Sequence, residues 1–146
     1  MLDHPEVVAG RRVLDLGSGS GLVAVAALLA GATAAVASDV DPYSHAAVLL
    51  NAEVNGVTGV EVVGDVLDDG PPDVDVVLAG DVCYDREMTG RVLPCLWTSW
   101  VAGRTVLLGD PGRRYLPGEG LVAVAAYDVP EVDEAQVRRT TVWRLP

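Results

Sequence analysis

The residues best suited to chemistry sit where an apolar run breaks into a turn. Val13-Leu14-Asp15-Leu16 is followed by Gly17-Ser18-Gly19-Ser20-Gly21, with glycine at alternate positions, and then by the apolar segment Leu22 to Ala30. Read as strand, tight turn and helix, this puts a glycine-rich loop at the carboxyl end of a strand. Open parallel sheets bind ligands outside that end, and glycine lets the backbone approach a nucleotide-like group without a Cβ in the way. The dinucleotide fingerprint G-x-G-x-x-G, begun at Gly17, requires a third glycine where Leu22 stands, which argues down an NAD-binding module. A second acid, Asp39, lies 22 positions after Gly17, near the roughly 20-residue offset at which an acid after the second strand bonds ribose hydroxyls. A third cluster, Gly80-Asp81-Val82-Cys83-Tyr84-Asp85, again follows an apolar run and places a carboxylate near a phenol.

The surrounding elements follow an alternating strand and helix pattern. Leu2 to Ala9 is compatible with a short helix, Val13 to Leu16 with the first strand, and Leu22 to Ala30 with a helix covered nearly all round, with Gly31 past its end. Thr33 to Ser38 reads as a buried second strand ending at Asp39. Asp41-Pro42 suits an N-cap followed by proline at the first helical position, opening a helix to about Asn55 with Gly56 as its stop. Val60 to Gly64 is a third strand ending at Asp65, Asp68 to Asp73 a loop, and Val74 to Ala79 a fourth strand that delivers Asp81 and Tyr84 to the same edge as the glycine turn. Arg86 to Val101 has apolar residues at helical spacing, with Pro94 predicting a kink or a late start and Trp97 and Trp100 expected in the core. Thr105 to Gly109 is a fifth strand, followed by the loop Asp110-Pro111-Gly112-Arg113-Arg114. Leu121 to Val129, opening as a possible helical turn, and Arg138 to Leu145 are the last strand-like segments, and the acidic piece Pro130 to Val137 between them has a loop's composition.

Composition narrows the function. With 146 residues, half of them hydrophobic, residues 1–146 read as one domain with enough apolar material for a core. The formal net charge of −11 argues against a nucleic-acid partner, because such proteins usually display a basic face. All ten basic residues are Arg, so the chain has no lysine of its own to modify. No apolar run reaches the roughly 18 residues needed to span a bilayer, and the first residues lack a signal peptide's basic and apolar regions, so a cytoplasmic protein without membrane contact is expected. Cys83 and Cys95 form no C-x-x-C pair, and His4 and His45 are far apart, so neither a disulfide framework nor a metal site is indicated.

The acid followed by G-x-G-x-G, namely Asp15, Gly17, Gly19 and Gly21, resembles the first motif of class I S-adenosylmethionine-dependent methyltransferases. With Ser38-Asp39-Val40-Asp41-Pro42, Gly80-Asp81-Val82-Cys83-Tyr84-Asp85, Gly109-Asp110-Pro111-Gly112-Arg113 and Thr140-Thr141-Val142-Trp143, the chain is similar to the electron transfer flavoprotein β-subunit lysine methyltransferases and their bacterial relatives. The resemblance implies a Rossmann-like α/β fold, a mostly parallel seven-stranded sheet with an antiparallel last strand and helices on both faces. It also implies S-adenosyl-L-methionine as cofactor and a protein substrate bearing the target lysine. Members of that group carry an upstream aromatic-rich segment and a helix over the cofactor, of which only Met1 to Ala9 remains here.

The resemblance assigns Asp15, Gly17, Ser18, Gly19, Gly21 and Asp39 to the cofactor, with Asp15 holding the amino group of its methionine end directly or through water. Asp65 either accepts the exocyclic amino group of adenine or is a solvated turn acid. Asp81 and Tyr84 should face the sulfonium methyl, Asp81 steering the lysine ammonium and orienting the free amine, Tyr84 lining the channel. Their alternative roles are a helix cap and packing. Arg113 contacts the protein substrate or pairs with Asp110. Methylation of a ribosomal protein or of a small amine, and a non-catalytic cofactor-binding remnant, are the competing readings. An Asn-Pro-Pro-Tyr type of motif, used on amide and exocyclic base nitrogens, does not stand after the fourth strand.

Overall fold

The computed structural model describes residues 1–130 and 137–146. Seven strands form one sheet in the order β3-β2-β1-β4-β5-β7-β6. They are β1 (Arg12–Leu16), β2 (Ala34–Ser38), β3 (Val60–Val63), β4 (Val76–Gly80), β5 (Thr105–Asp110), β6 (Val122–Pro130) and β7 (Val137–Arg144). Helix α1 (Leu22–Leu29) joins β1 to β2, α2 (Pro42–Val54) joins β2 to β3, and α3 (Arg86–Val101) joins β4 to β5. β1 pairs in parallel with both β2 and β4, β3 with β2, and β5 with β4, whereas β7 runs antiparallel to β5 and β6. The strand order therefore reverses between β1 and β4, and the crevice outside their carboxyl ends is the place where this architecture binds ligands.

The period of two along the strands sorts the helices onto the two faces. Val13, Val76 and Leu78 pack with Ala27 of α1 and with Ala30, its C-cap, and Ala35 and Ala37 with Ala24 of α1 and Val48 of α2. The alternate positions Leu14, Leu16, Val36, Val77, Ala79, Val106 and Leu108 pack with Val92, Cys95 and Leu96 of α3. By the same alternation Asp15 shares the α1 face of Val13, which decides what its carboxylate can reach.

The expected elements are all present, with local differences. Asp41 caps α2, accepting the Tyr43 N–H at 2.9 Å. The short amino-terminal helix is a 3₁₀ turn over Pro5–Val7. β4 begins at Val76, later than the expected Val74, and Asp75 just before it accepts the Arg12 N–H on its carboxylate at 2.8 Å. α3 runs through Pro94 without a late start, capped by Asp85 accepting from Met88 N. Pro94 and Gly90, whose carbonyl it leaves without a helical donor, are both exposed, so water can serve that carbonyl. Trp97 packs on the core, but Trp100 stands 36% exposed, meeting Trp97 edge-on with centroids 5.5 Å apart. The segment opening at Leu121 enters β6 without a helical turn. The loop expected over 130–137 lies outside the described residues except for its ends, which belong to β6 and β7. Among the described residues no helix is long and apolar enough to cross a membrane.

Candidate active site

The carboxyl ends of β1, β2, β3 and β4 surround one cavity of about 260 Å³, near the lower end of the roughly 300–1,000 Å³ of ordinary ligand sites. Gly17, Gly19, Asp39, Asp65, Asp81 and Tyr84 line it, so the glycine turn and the Asp81 edge face the same space. Gly17 and Gly19 have φ of 70° and 49°, in the left-handed region. A Cβ on Gly19 would meet nothing within 4 Å, and one on Gly17 would lie 3.0 Å from Val82 Cγ1. Gly19 thus exposes bare backbone to open space, while Gly17 is tight against the β4 edge.

The acids are held by the turns themselves. Asp39 accepts the Gly19 N–H at 2.8 Å and the Asp41 N–H at 2.9 Å, tying the turn after β1 to the turn after β2. Asp65 accepts the Leu67 N–H at 2.9 Å and an Arg91 N–H at 2.7 Å. The Leu67 N–H and, after it, the Arg91 guanidinium hold the Asp65 carboxyl below the usual range. Asp81 takes up the left-handed region at φ 56°, alone among the described non-glycine residues. Such backbone costs a non-glycine residue of order 1–3 kcal/mol and clusters at functional sites. Tyr84 stands at the rim, 54% exposed.

Four expected site residues do not line the cavity. Asp15 is 1% exposed beneath the glycine turn, where it accepts the Ala24 N–H at 2.9 Å. The N-cap of α1 is Gly21, which has no side chain to offer, and Asp15 satisfies one of the helix's orphan donors from the strand instead. Burial pushes its carboxyl up to about 7, against the Ala24 hydrogen bond and with help from Asp39. Gly21, at φ 75°, lies where a Cβ would sit 2.8 Å from Val48 Cγ2, so its smallness serves the approach of α1 to α2. Ser18 is 9% exposed, its Oγ buried and without a hydrogen-bond partner among the described residues. Arg113 reaches the site through another side chain: its guanidinium binds Asp81 by two contacts of 2.6 Å. Of the two partners that sequence left open for Arg113, the protein substrate and Asp110, Asp110 accepts its backbone N–H at 2.6 Å, while the guanidinium binds Asp81.

The apolar wall of the cavity, formed by Val40, Leu67, Met88 and Val92, was not marked by any motif. Its one sequence signal is an apolar residue one or two places after a strand-end acid, as in Asp39-Val40 and Asp65-Val66-Leu67, a pattern too common to single out. Cys83 lies in the same stretch as Asp81 but is fully buried, and burial followed by the nearby Asp110 raises its thiol pKa. That environment suits packing and opposes a thiolate nucleophile.

A doubly wound sheet with this strand order, an antiparallel β7 and a glycine-lined cavity at the reversal has the class I methyltransferase fold. The family model for ribosomal protein L11 methyltransferase (PrmA) matches residues 2–81, more than half of the chain, and the chain belongs to that family. It is 36% identical, over 154 aligned residues, to the electron transfer flavoprotein β subunit lysine methyltransferase of Rattus norvegicus, with 98% of this chain and 60% of the relative covered. The chain thus spans about 60% of the length of that relative. The crystal structure of ribosomal protein L11 methylase from Lactobacillus delbrueckii subsp. bulgaricus superposes with a TM-score of 0.67 at 18% identity, covering 98% of this chain and 73% of that one. Streptococcus pneumoniae Sp1610, a candidate tRNA (m1A22) methyltransferase in complex with S-adenosyl-L-methionine, superposes with a TM-score of 0.66 at 18% identity, covering 99% and 71%. At those identities the two structures speak to the fold.

Proposed function

We propose that this chain is the cofactor-binding and catalytic part of an S-adenosyl-L-methionine-dependent N-methyltransferase acting on lysine side chains of a protein. The electron transfer flavoprotein β subunit is the first candidate substrate. The observation that carries this reading is the convergence of the glycine turn and the Asp81 edge on one cavity. The 36% identity to a lysine methyltransferase over nearly the whole chain supports the choice of substrate class.

The residues fit the cofactor. Gly19 leaves open space where a side chain would intrude. A carboxylate offers about four acceptor positions; Asp39 uses one for Gly19 N and one for Asp41 N, leaving room for the two hydroxyls of a ribose. Val40, Leu67, Met88 and Val92 offer an apolar bed for a flat base, with Asp65 at its edge to accept an amino group. Asp15 and the unpartnered Ser18 Oγ stand beneath the turn, where the methionine end would lie above them. When bound, S-adenosyl-L-methionine supplies a methyl group on a sulfonium whose leaving group is already activated. The chain's own task is then to align the nucleophile and exclude water. A lysine amine with an ordinary pKa of about 10.4 is mostly protonated at neutral pH and gives its proton to solvent before it attacks. Asp81 steers the side chain in and accepts an N–H of the free amine, and Tyr84 at the rim lines its channel and aims the lone pair. Cys83 and Cys95, both buried and unpaired, suit a reducing compartment and support a cytoplasmic setting.

The test is calorimetric titration with S-adenosyl-L-methionine, followed by incubation with a labelled methyl donor and electron transfer flavoprotein β subunit. Saturable binding and label on a lysine of that protein are expected. Binding without transfer to this protein or to any band of a cell extract would mark a non-catalytic cofactor-binding remnant. Label on a ribosomal protein instead would move the substrate to the class for which the matching family model is described.

A further inference from the structure

The loop after β5 folds back on the end of β4 and brings Arg113 against Asp81, whose side chain stays 48% exposed. Asp110, 1% exposed at the end of β5, accepts the N–H groups of Gly112 at 2.7 Å and Arg113 at 2.6 Å on one oxygen. Gly112, at φ 86°, permits the sharp return. Arg113 then binds Asp81 with both arms of its fork, Nε to Oδ1 and Nη2 to Oδ2, each at 2.6 Å. The Asp81 N–H donates to the Gly109 carbonyl at 2.8 Å. The backbone is thus fixed by β5 and both oxygens by the loop that follows it, and a bidentate guanidinium adds geometric restraint as well as charge.

We infer that Arg113 is a positioning residue that decides which protonation state of the incoming lysine the site holds, provided that Asp81 faces the amine as proposed above. A bare carboxylate stabilises an ammonium and raises its pKa, keeping the nitrogen in the form that cannot attack. The Asp81–Arg113 pair carries no net charge, yet its carboxylate oxygens retain capacity for a further hydrogen bond. It therefore accepts an N–H from the neutral amine without favouring the cation, and the ammonium's proton leaves to bulk water. Among the described residues, titratable groups near this point include Tyr84 at the rim, Asp39 and Asp65 lining the same cavity from the ends of β2 and β3, and Cys83 and Asp110. Asp65 is itself paired with Arg91. Arg113 is the cation bonded to Asp81.

The experiment is the pH dependence of kcat for methyl transfer to electron transfer flavoprotein β subunit by wild type, Arg113→Met and Arg113→Lys. Removing the positive charge should move the acid limb of kcat up by about one pH unit, so that the rate at pH 7 falls about tenfold while the plateau at high pH is largely retained. KM at pH 7 should stay or fall, because the ammonium is then held better. Arg113→Lys keeps the charge and loses the fork, so its limb should remain near wild type with a lower kcat. An Arg113→Met limb that superposes on the wild-type limb, with kcat lowered at every pH, would overturn the inference and leave a structural role. Should that variant not fold, a second measurement uses the wild type alone. Calorimetry of substrate binding to the enzyme saturated with S-adenosylhomocysteine, in two buffers of different ionisation enthalpy at pH 7, should show release of about one proton, as expected for a lysine of ordinary pKa bound neutral. No release would overturn the inference. Absence of any transfer by wild type would remove the methyltransferase reading itself, whereas transfer with an unmoved limb removes only the role of Arg113.

Discussion

At the β1 and β2 ends the acids are held by backbone N–H groups, Asp15 beneath the cavity by Ala24 and Asp39 by Gly19 and Asp41, and Asp65 after β3 is held by the Leu67 N–H together with the Arg91 guanidinium. Around the β4 end the carboxylate of Asp81 is held by a side chain that arrives from the loop after β5. Backbone donors come with the turn whatever the neighbouring side chains are, so the first half of the site is fixed once the strands and helices form. The second half depends on one guanidinium, and its charge can be altered by changing a single residue. A rigid half suits a ligand that is the same in every turnover, and an adjustable half suits the group whose protonation must be controlled.

Breaking each half should therefore give a different kind of loss. The largest effect is expected from Asp81→Asn, which removes the acceptor charge from the second half: kcat should fall by about 100-fold or more, in the range of lost acid–base and positioning groups. The Kd for S-adenosyl-L-methionine should stay within a factor of about three, because the anchors proposed for the cofactor lie on the other strands. Rate measurements at saturating cofactor with calorimetry on the same preparation check both, and an unchanged rate would remove Asp81 from the mechanism. Next comes Gly21→Ala, which strikes the packing that supports the first half. Its Cβ would lie 2.8 Å from Val48 Cγ2 and 3.1 Å from Val48 Cα, at φ 75°, and a loss of about 2–3 kcal/mol is expected in urea denaturation. Adding Val48→Ala should restore part of it by removing the methyl collision while the backbone strain stays. Equal midpoints for the single and double variants would show that the collision is not the cause.

Much of the first half was legible in the sequence because its signals are local. Alternating glycines, the Asp39 offset and the Asp41-Pro42 cap all act within a strand, a turn and the helix that follows; the structure forms the turn and the cap, and places Asp39 on the cavity wall. The misplacements have physical causes that a motif does not carry. Asp15 and Gly21 belong to the pattern, but the strand's period of two turns Asp15 toward α1, and the closeness of Val48 gives Gly21 a packing task. Ser18 has its Oγ buried, which nothing in its own segment announces. The pair of Arg113 with Asp81 joins residues 32 positions apart through parallel strands brought side by side, and sequence alone left Arg113 between the protein substrate and Asp110. The apolar wall of Val40, Leu67, Met88 and Val92 assembles from three separate segments, each of ordinary composition.

The smallest effect expected concerns the buried acid of the rigid half, and its sign follows from linkage. Asp15 is pushed from its ordinary 3.8 to about 7, first by burial and then by Asp39, with the Ala24 N–H opposing. Between those two values the folded chain keeps a proton that the unfolded chain has released, so unfolding releases it and stability declines as pH rises. The contribution is fully present below the unfolded value and is lost as pH passes through about 7. Asp15→Asn removes the titration while its amide oxygen can still accept from Ala24 N, so the difference in urea midpoint between the two proteins should change steadily from pH 5 to pH 7 and level off above. Parallel midpoints over that range would mean that Asp15 titrates alike folded and unfolded. The same ionisation links the acid to its ligand: if the deprotonated carboxylate serves the cofactor's ammonium from beneath the turn, wild-type affinity should strengthen over that interval and the Asn variant's should not. A flat wild-type profile would leave Asp15 as the cap of α1 alone, with Asp39 and the bare backbone of Gly19 carrying the binding on this side.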